Sequence, residues 1–234
     1  MRLLEVCAGS IESVKSAFLG GAQRVELCCA LDEDGLTPSL GMIKAAKRYD
    51  GLKIHVLIRP RPGDFVYTED EIQCMIEDIK TCKILQVDGI VIGALTPQGE
   101  IDKETCMRLI EAAEGIPNIT FHRAFDVCKN PFSALEEIIS LGCNRLLTSG
   151  QAESAEKGIP VLKKLVEQAN NRIVIMAGAG INPTNAKKIV QETGVTELHA
   201  SARSSKMFGR LETDEGNVRK IKQELQFPLG ERNF

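Results

Sequence analysis

The sequence predicts a single-domain α/β protein, a (β/α)₈ TIM barrel. Eight short apolar runs alternate with segments of helical period. The helix starts between them carry recognisable cap signals, and the length of 234 residues is near the ~250 typical of such barrels. Each run is too short for a helix and rich in Val, Ile and Leu, as a strand covered on both faces should be.

The elements follow in order. Leu3 to Ala8 is the first strand, and Ser10 caps a helix from Ile11 to Leu19 that stops at Gly20-Gly21. Arg24 to Ala30 is the second strand; Thr37-Pro38 supplies a cap and a first-turn proline for a helix to about Tyr49. Lys53 to Arg59 precedes a capping box at Thr68 to Glu71, with Ile72, Met75, Ile76 and Ile79 as the apolar stripe. Gly89 to Ala94 is followed by a helix capped by Asp102, and Ile119 to Phe125 by one opening at Asn130-Pro131. Arg145 to Gly150 leads to a helix from near Gly158 to Ala169. Ile173 to Gly178 leads to Asn182-Pro183 at a seventh helix start, and Glu197 to Ala202 to Thr213-Asp214 at an eighth. No linker or composition shift divides residues 1–234. An open doubly wound sheet shares this grammar, but its first turn is glycine-rich. Here that turn is Ala8-Gly9-Ser10, so no nucleotide cofactor is expected.

Composition narrows the partners. A formal charge of -3 and 4% aromatic residues offer no basic or base-stacking surface, so neither nucleic acid nor an anionic membrane is expected. No run reaches the ~20 apolar residues of a membrane span, and Met1-Arg2 leads straight into the first strand. A cytoplasmic protein is expected. Its eight cysteines are then free thiols rather than a disulfide framework.

Side-chain alternation turns the strands into a map of the interior. Leu4 and Val6 suit the helix side, leaving Glu5 and Cys7 inward; Val25 and Leu27 likewise leave Glu26 and Cys28. His55 and Arg59, Thr120 and His122, and His199 and Ser201 face inward on the third, fifth and eighth strands. Charged groups are rarely buried unless paired or functional. One reading is an interior layer of ion pairs, for example Glu5 or Glu26 with Arg59. The other is a site at the C-terminal strand ends, where barrels place their chemistry.

Three constellations follow for such a site. Glu5, Glu26 or His122 would act as general acid or base, with Arg59 stabilising negative charge and His199 orienting the substrate or sharing proton transfer. Gly178 and Gly180 after the seventh strand, with Ser201 and Arg203 after the eighth, would cradle an anion. Cys7 and Cys28 lie on adjacent strands in the same phase, where two thiols either pack or share a soft ion such as Cu(I), with Cys128 as a third ligand. No inward lysine supports a Schiff-base aldolase.

The motifs themselves resemble a known family. EVCAGSIESVKSAFLGGAQRVELC (Glu5 to Cys28), GLTPSLGMI (Gly35 to Ile43), VLIRPRPGDFVYT (Val56 to Thr68), DGIVIGALTPQGEID (Asp88 to Asp102), TFHRAFD (Thr120 to Asp126), LLTSG (Leu146 to Gly150), AGAGI (Ala177 to Ile181) and LHASAR (Leu198 to Arg203) are similar to the copper homeostasis protein CutC family. The likeness covers almost the whole chain. It implies a cytoplasmic barrel, a homodimer or higher homo-oligomer, engaged in copper handling, with Cys7 and Cys28 at the positions of the proposed Cu(I) ligands. The alternative is an enzyme of isomerase or lyase type acting on a small anionic or phosphorylated metabolite at the barrel mouth.

Overall fold

Alternation along each strand sorts the apolar residues into two cores. Leu4, Val6, Val25, Leu27, Ile54 and Val56 belong to the large core between strands and helices. Cys7, Cys28, Leu57 and Val91 form a separate small cluster inside the barrel. In this computed structural model, which describes residues 2–207 and 210–226, eight parallel strands close in sequence order. They are β1 (Leu3–Ala8), β2 (Arg24–Leu27), β3 (Lys53–Leu57), β4 (Gly89–Ile92), β5 (Ile119–Phe121), β6 (Arg145–Thr148), β7 (Val174–Ala177) and β8 (Glu197–Ala200). The register places Glu5 beside both Arg24 and His199, and Cys7 beside Glu26.

The helices are α1 (Ile11–Leu19), α2 (Leu40–Ala46), α3 (Glu69–Ile84), α4 (Lys103–Ala112), α5 (Pro131–Ser140), α6 (Ile159–Ala169), α7 (Ala186–Thr193) and α8 (Glu215–Glu224). Ser10, Thr68, Asp102, Asn130 and Asp214 each accept a backbone N–H at the expected helix start. Such caps stabilise a helix by about 1 kcal/mol apiece.

Three local expectations are corrected. Ser39, not Thr37, caps α2. The Thr37 hydroxyl instead accepts from the Arg59 N–H at 2.9 Å, tying the loop after β2 to the end of β3. Asn182-Pro183 forms a turn whose Asn182 carboxamide oxygen accepts from the Thr184 N–H, and α7 begins three residues after Pro183, at Ala186. Finally, the chain after β8 enters an antiparallel hairpin, β9 (Arg203–Met207) and β10 (Arg210–Thr213), before α8. The hairpin is fastened to α1: the Glu212 carboxylate accepts from the Ser10 and Ser13 hydroxyls, and the Thr213 N–H donates to Ser13 Oγ at 3.0 Å. Among the described residues no helix is long and apolar enough to cross a membrane.

Candidate functional site

The barrel interior begins with a layer of ion pairs. Arg24 bonds Glu5 and Glu197, and Arg145 bonds Glu197 at 2.5 and 3.1 Å. All four side chains are buried. Two cations face two anions, so the layer satisfies itself, and the expected pairing of Glu5 or Glu26 with Arg59 does not form. Arg24, Arg145 and Glu197 are the inward residues that strand parity also marks, because each shares the phase of an inward neighbour two places on.

One step toward the C-terminal strand ends lie Cys7, Glu26 and His199, a sulfur, a carboxylate oxygen and a ring nitrogen all within 4.8 Å of one another. Glu5 reaches up to this group: its Oε1 is 2.8 Å from His199 Nδ1. Burial opposes the charge of Glu5, but Arg24 and then His199 outweigh it and hold the carboxyl well below its usual range. With Glu5 ionised, His199 donates Nδ1–H to its carboxylate. Burial works against its charge as well, yet the carboxyls of Glu26 and Glu5 hold its pKa above the ordinary value. Glu26 is pushed up by burial against the pull of His199. The Cys7 thiol stands 3.4 Å from Glu26 Oε1 and 3.8 Å from Cys28 Sγ. Its hydrogen bond with Cys28, reinforced by burial, raises its pKa well above normal.

Above this group opens a cavity of ≈ 370 Å³ that Cys7, Glu26 and His199 line together with Arg59, Phe65 and His122. Arg59 is held by neutral carbonyls, donating to Glu33 and Gly35 at 2.9 and 3.0 Å and to Gly63 at 2.9 Å. His122 is not part of β5; it caps the short 3-10 turn Arg123–Val127, its Nδ1 accepting from the Ala124 N–H at 3.1 Å. An accepting Nδ1 places the ring proton on Nε2. Burial, aided by Arg59, lowers its pKa to about 3. His122 is thus a neutral donor at ordinary pH.

The remaining candidates divide. Gly180, Ser201 and Arg203 line the cavity, with Arg203 also paired to Asp32 at 2.9 Å. Gly178 is corrected: its N–H donates to the Thr148 carbonyl at 3.0 Å, and a Cβ there would stand 2.6 Å from Leu147 Cδ1. It is a packing glycine without an N–H for an anion. The loop after β8 also enters a hairpin rather than the short helix whose N-terminus completes many barrel phosphate sites. Cys28 lies fully buried behind Cys7, and Cys128 is engaged by Gln151 outside the cavity lining, so it is no third ligand.

Comparison with known proteins fits this architecture. The CutC family model matches residues 2–204. The chain belongs to the CutC family. Among CutC relatives, the family protein of Parabacteroides distasonis is 51% identical over 218 residues, covering 93% of this chain and 89% of its own. The human copper homeostasis protein cutC homolog is 48% identical over 207 residues, covering 88% of this chain and 76% of its own. The solved CutC structure from Streptococcus agalactiae superposes with a TM-score of 0.82 at 39% identity, over 86% of this chain and 99% of the other. Phosphoribosylanthranilate isomerase of Thermotoga maritima superposes with a TM-score of 0.61 at 12% identity, covering 96% of this chain and 98% of its own, a likeness of fold alone. All the candidate site residues fall within the segment matched by the CutC model.

Proposed function

We propose that the protein serves intracellular copper handling by holding Cu(I) at the base of the barrel mouth. The observation that carries this reading is the convergence of Cys7, Glu26 and His199 within 4.8 Å, with the Cys28 sulfur 3.8 Å from that of Cys7. Thiolate and imidazole are the soft and borderline donors that suit Cu(I), and Cys7, Cys28 and His199 would bind it. Glu5 on His199 Nδ1 supplies the carboxylate that commonly fixes the tautomer and orientation of a metal-binding imidazole. The names of the human and bacterial relatives point the same way.

A thiol must lose its proton to bind metal. The raised pKa of Cys7 therefore makes Cu(I) capture release a proton and strengthen as pH rises. Cytoplasmic location and a homo-oligomeric state belong to the same proposal; light scattering on the purified protein checks the second. The test of the site is anaerobic Cu(I) titration against a chromophoric chelator. One tightly held Cu(I) per chain is expected, and its loss in Cys7→Ser/Cys28→Ser. Unchanged affinity in that double variant would remove the site.

A further inference from the structure

The arc of the cavity from β3 to β5, across the barrel from β1, holds donors that the copper reading does not use. Arg59 is 4% exposed, and three of its N–H groups go to the carbonyls of Glu33, Gly35 and Gly63. Its Nε has no hydrogen-bond partner. Among the described residues no carboxylate forms an ion pair with it, in contrast to Arg24 and Arg145 below. His122 is equally buried at 4% exposure, and its Nε2, which carries the ring proton, also has no partner. Phe65 joins the two: the Arg59 guanidinium carbon is 5.1 Å from its ring centre, and the His122 ring centre is 5.0 Å away. Gly93 makes this possible, since a Cβ there would stand 2.5 Å from His122 Cε1 and Nδ1.

A buried cation without a counter-charge is costly, and so is a buried donor without an acceptor. Neutral carbonyls offset part of the first cost and none of the second. Both are met at once by a ligand bearing one negative charge on two acceptor oxygens. We infer that Arg59 and His122 form a binding site for a small carboxylate, seated beside Phe65 at the barrel mouth. The site shares the cavity with the Cys7–Glu26–His199 group but uses none of those three side chains, and it stands whether or not copper binds there. A carboxylate matches the single unbalanced charge of Arg59, whereas a phosphate dianion exceeds it.

The experiment uses copper-free protein in the presence of a metal chelator. Pyruvate, acetate and inorganic phosphate are titrated calorimetrically at neutral pH, and the His122 ring is followed by long-range nitrogen–proton NMR. Saturable binding of pyruvate and acetate is expected, with a shift of the His122 Nε2–H signal on addition of either. His122→Phe keeps the ring volume and should weaken pyruvate about tenfold or more, as should Arg59→Lys, which keeps the charge and loses the planar fork. If Arg59→Lys fails to fold because the loop carbonyls lose their donor, His122→Phe and the NMR signal decide. Absence of saturable carboxylate binding would overturn the inference. So would preference for phosphate, or pyruvate affinity indifferent to His122→Phe but abolished in Arg203→Ala. Copper affinity is measured separately, so either proposal can fail without the other.

Discussion

At Cys7 three influences hold the thiol in its protonated form. A neighbouring thiol and full burial favour the protonated form, while the Glu26 carboxyl beside it disfavours added negative charge. Only a cation that replaces the proton relieves all three. His199 is prepared differently: Glu5 fixes its tautomer from behind, and Glu5 is itself held ionised by Arg24. Glu5→Gln should weaken Cu(I) by about 10- to 100-fold through the imidazole, without touching a ligand atom. Chelator competition reads the loss, and circular dichroism reads whether the Arg24 layer still folds. Full retention of affinity would mean that His199 is not a ligand. Strand parity makes Glu5, Cys7, Glu26, Cys28 and His199 legible in the sequence, because apolar partners on the opposite face fix their phase. Arg24, Arg145 and Glu197 escaped that reading although they share it. Each opens its strand, where a charged residue is as readily taken for a solvated flank.

Elements position the cavity walls, and glycine is decisive at one of them. Gly93, just beyond β4, leaves the space that the His122 ring occupies. Gly93→Ala must displace that ring and break its bond from the Ala124 N–H. The cost expected from overpacking is about 1–3 kcal/mol, read by urea unfolding, together with loss of the Nε2–H tautomer by NMR. A variant with unchanged stability and tautomer would show that the ring has room to spare. The loop after β2 is held in a comparable way, through the Thr37 hydroxyl and Arg59 N–H and through the guanidinium bonds to Glu33 and Gly35. These tertiary bonds explain why Thr37-Pro38 does not start a helix: the threonine hydroxyl is engaged by Arg59, just past β3, instead of capping. The β9–β10 hairpin was illegible for a related reason. Its order comes from Glu212 bonding to Ser10 and Ser13, some 200 positions away, and no local pattern announces such a contact.

On the scale of the whole molecule, the barrel stacks a self-neutralised ion-pair layer, a thiol–carboxyl–imidazole layer and an open mouth. Its stability should carry a recognisable acid signature. Burial lowers His122 to about 3 and, against the pull of Glu5, lowers His55 to about 4. As pH falls through the ordinary histidine range, near 6.5, the unfolded chain takes up protons that these buried rings refuse. Stability from each is therefore present at neutral pH and declines as pH falls, by up to about 1.4 kcal/mol per pH unit per ring. His199 acts in the opposite sense, its contribution being full in acid and lost as pH rises through its raised value. The clean comparison is the slope of unfolding free energy against pH in wild type and His122→Phe; the variant should lose about one ring's share between pH 6 and pH 4. An unchanged slope would mean that His122 protonates within the folded barrel. X-ray absorption at the copper edge of the one-to-one Cu(I) protein reads the proposed placement of copper from its ligand atoms. Sulfur from Cys7 and Cys28 with one imidazole nitrogen is predicted, the sulfur shell vanishing in Cys7→Ser/Cys28→Ser. A coordination shell without sulfur, or one that survives that double substitution, would contradict it.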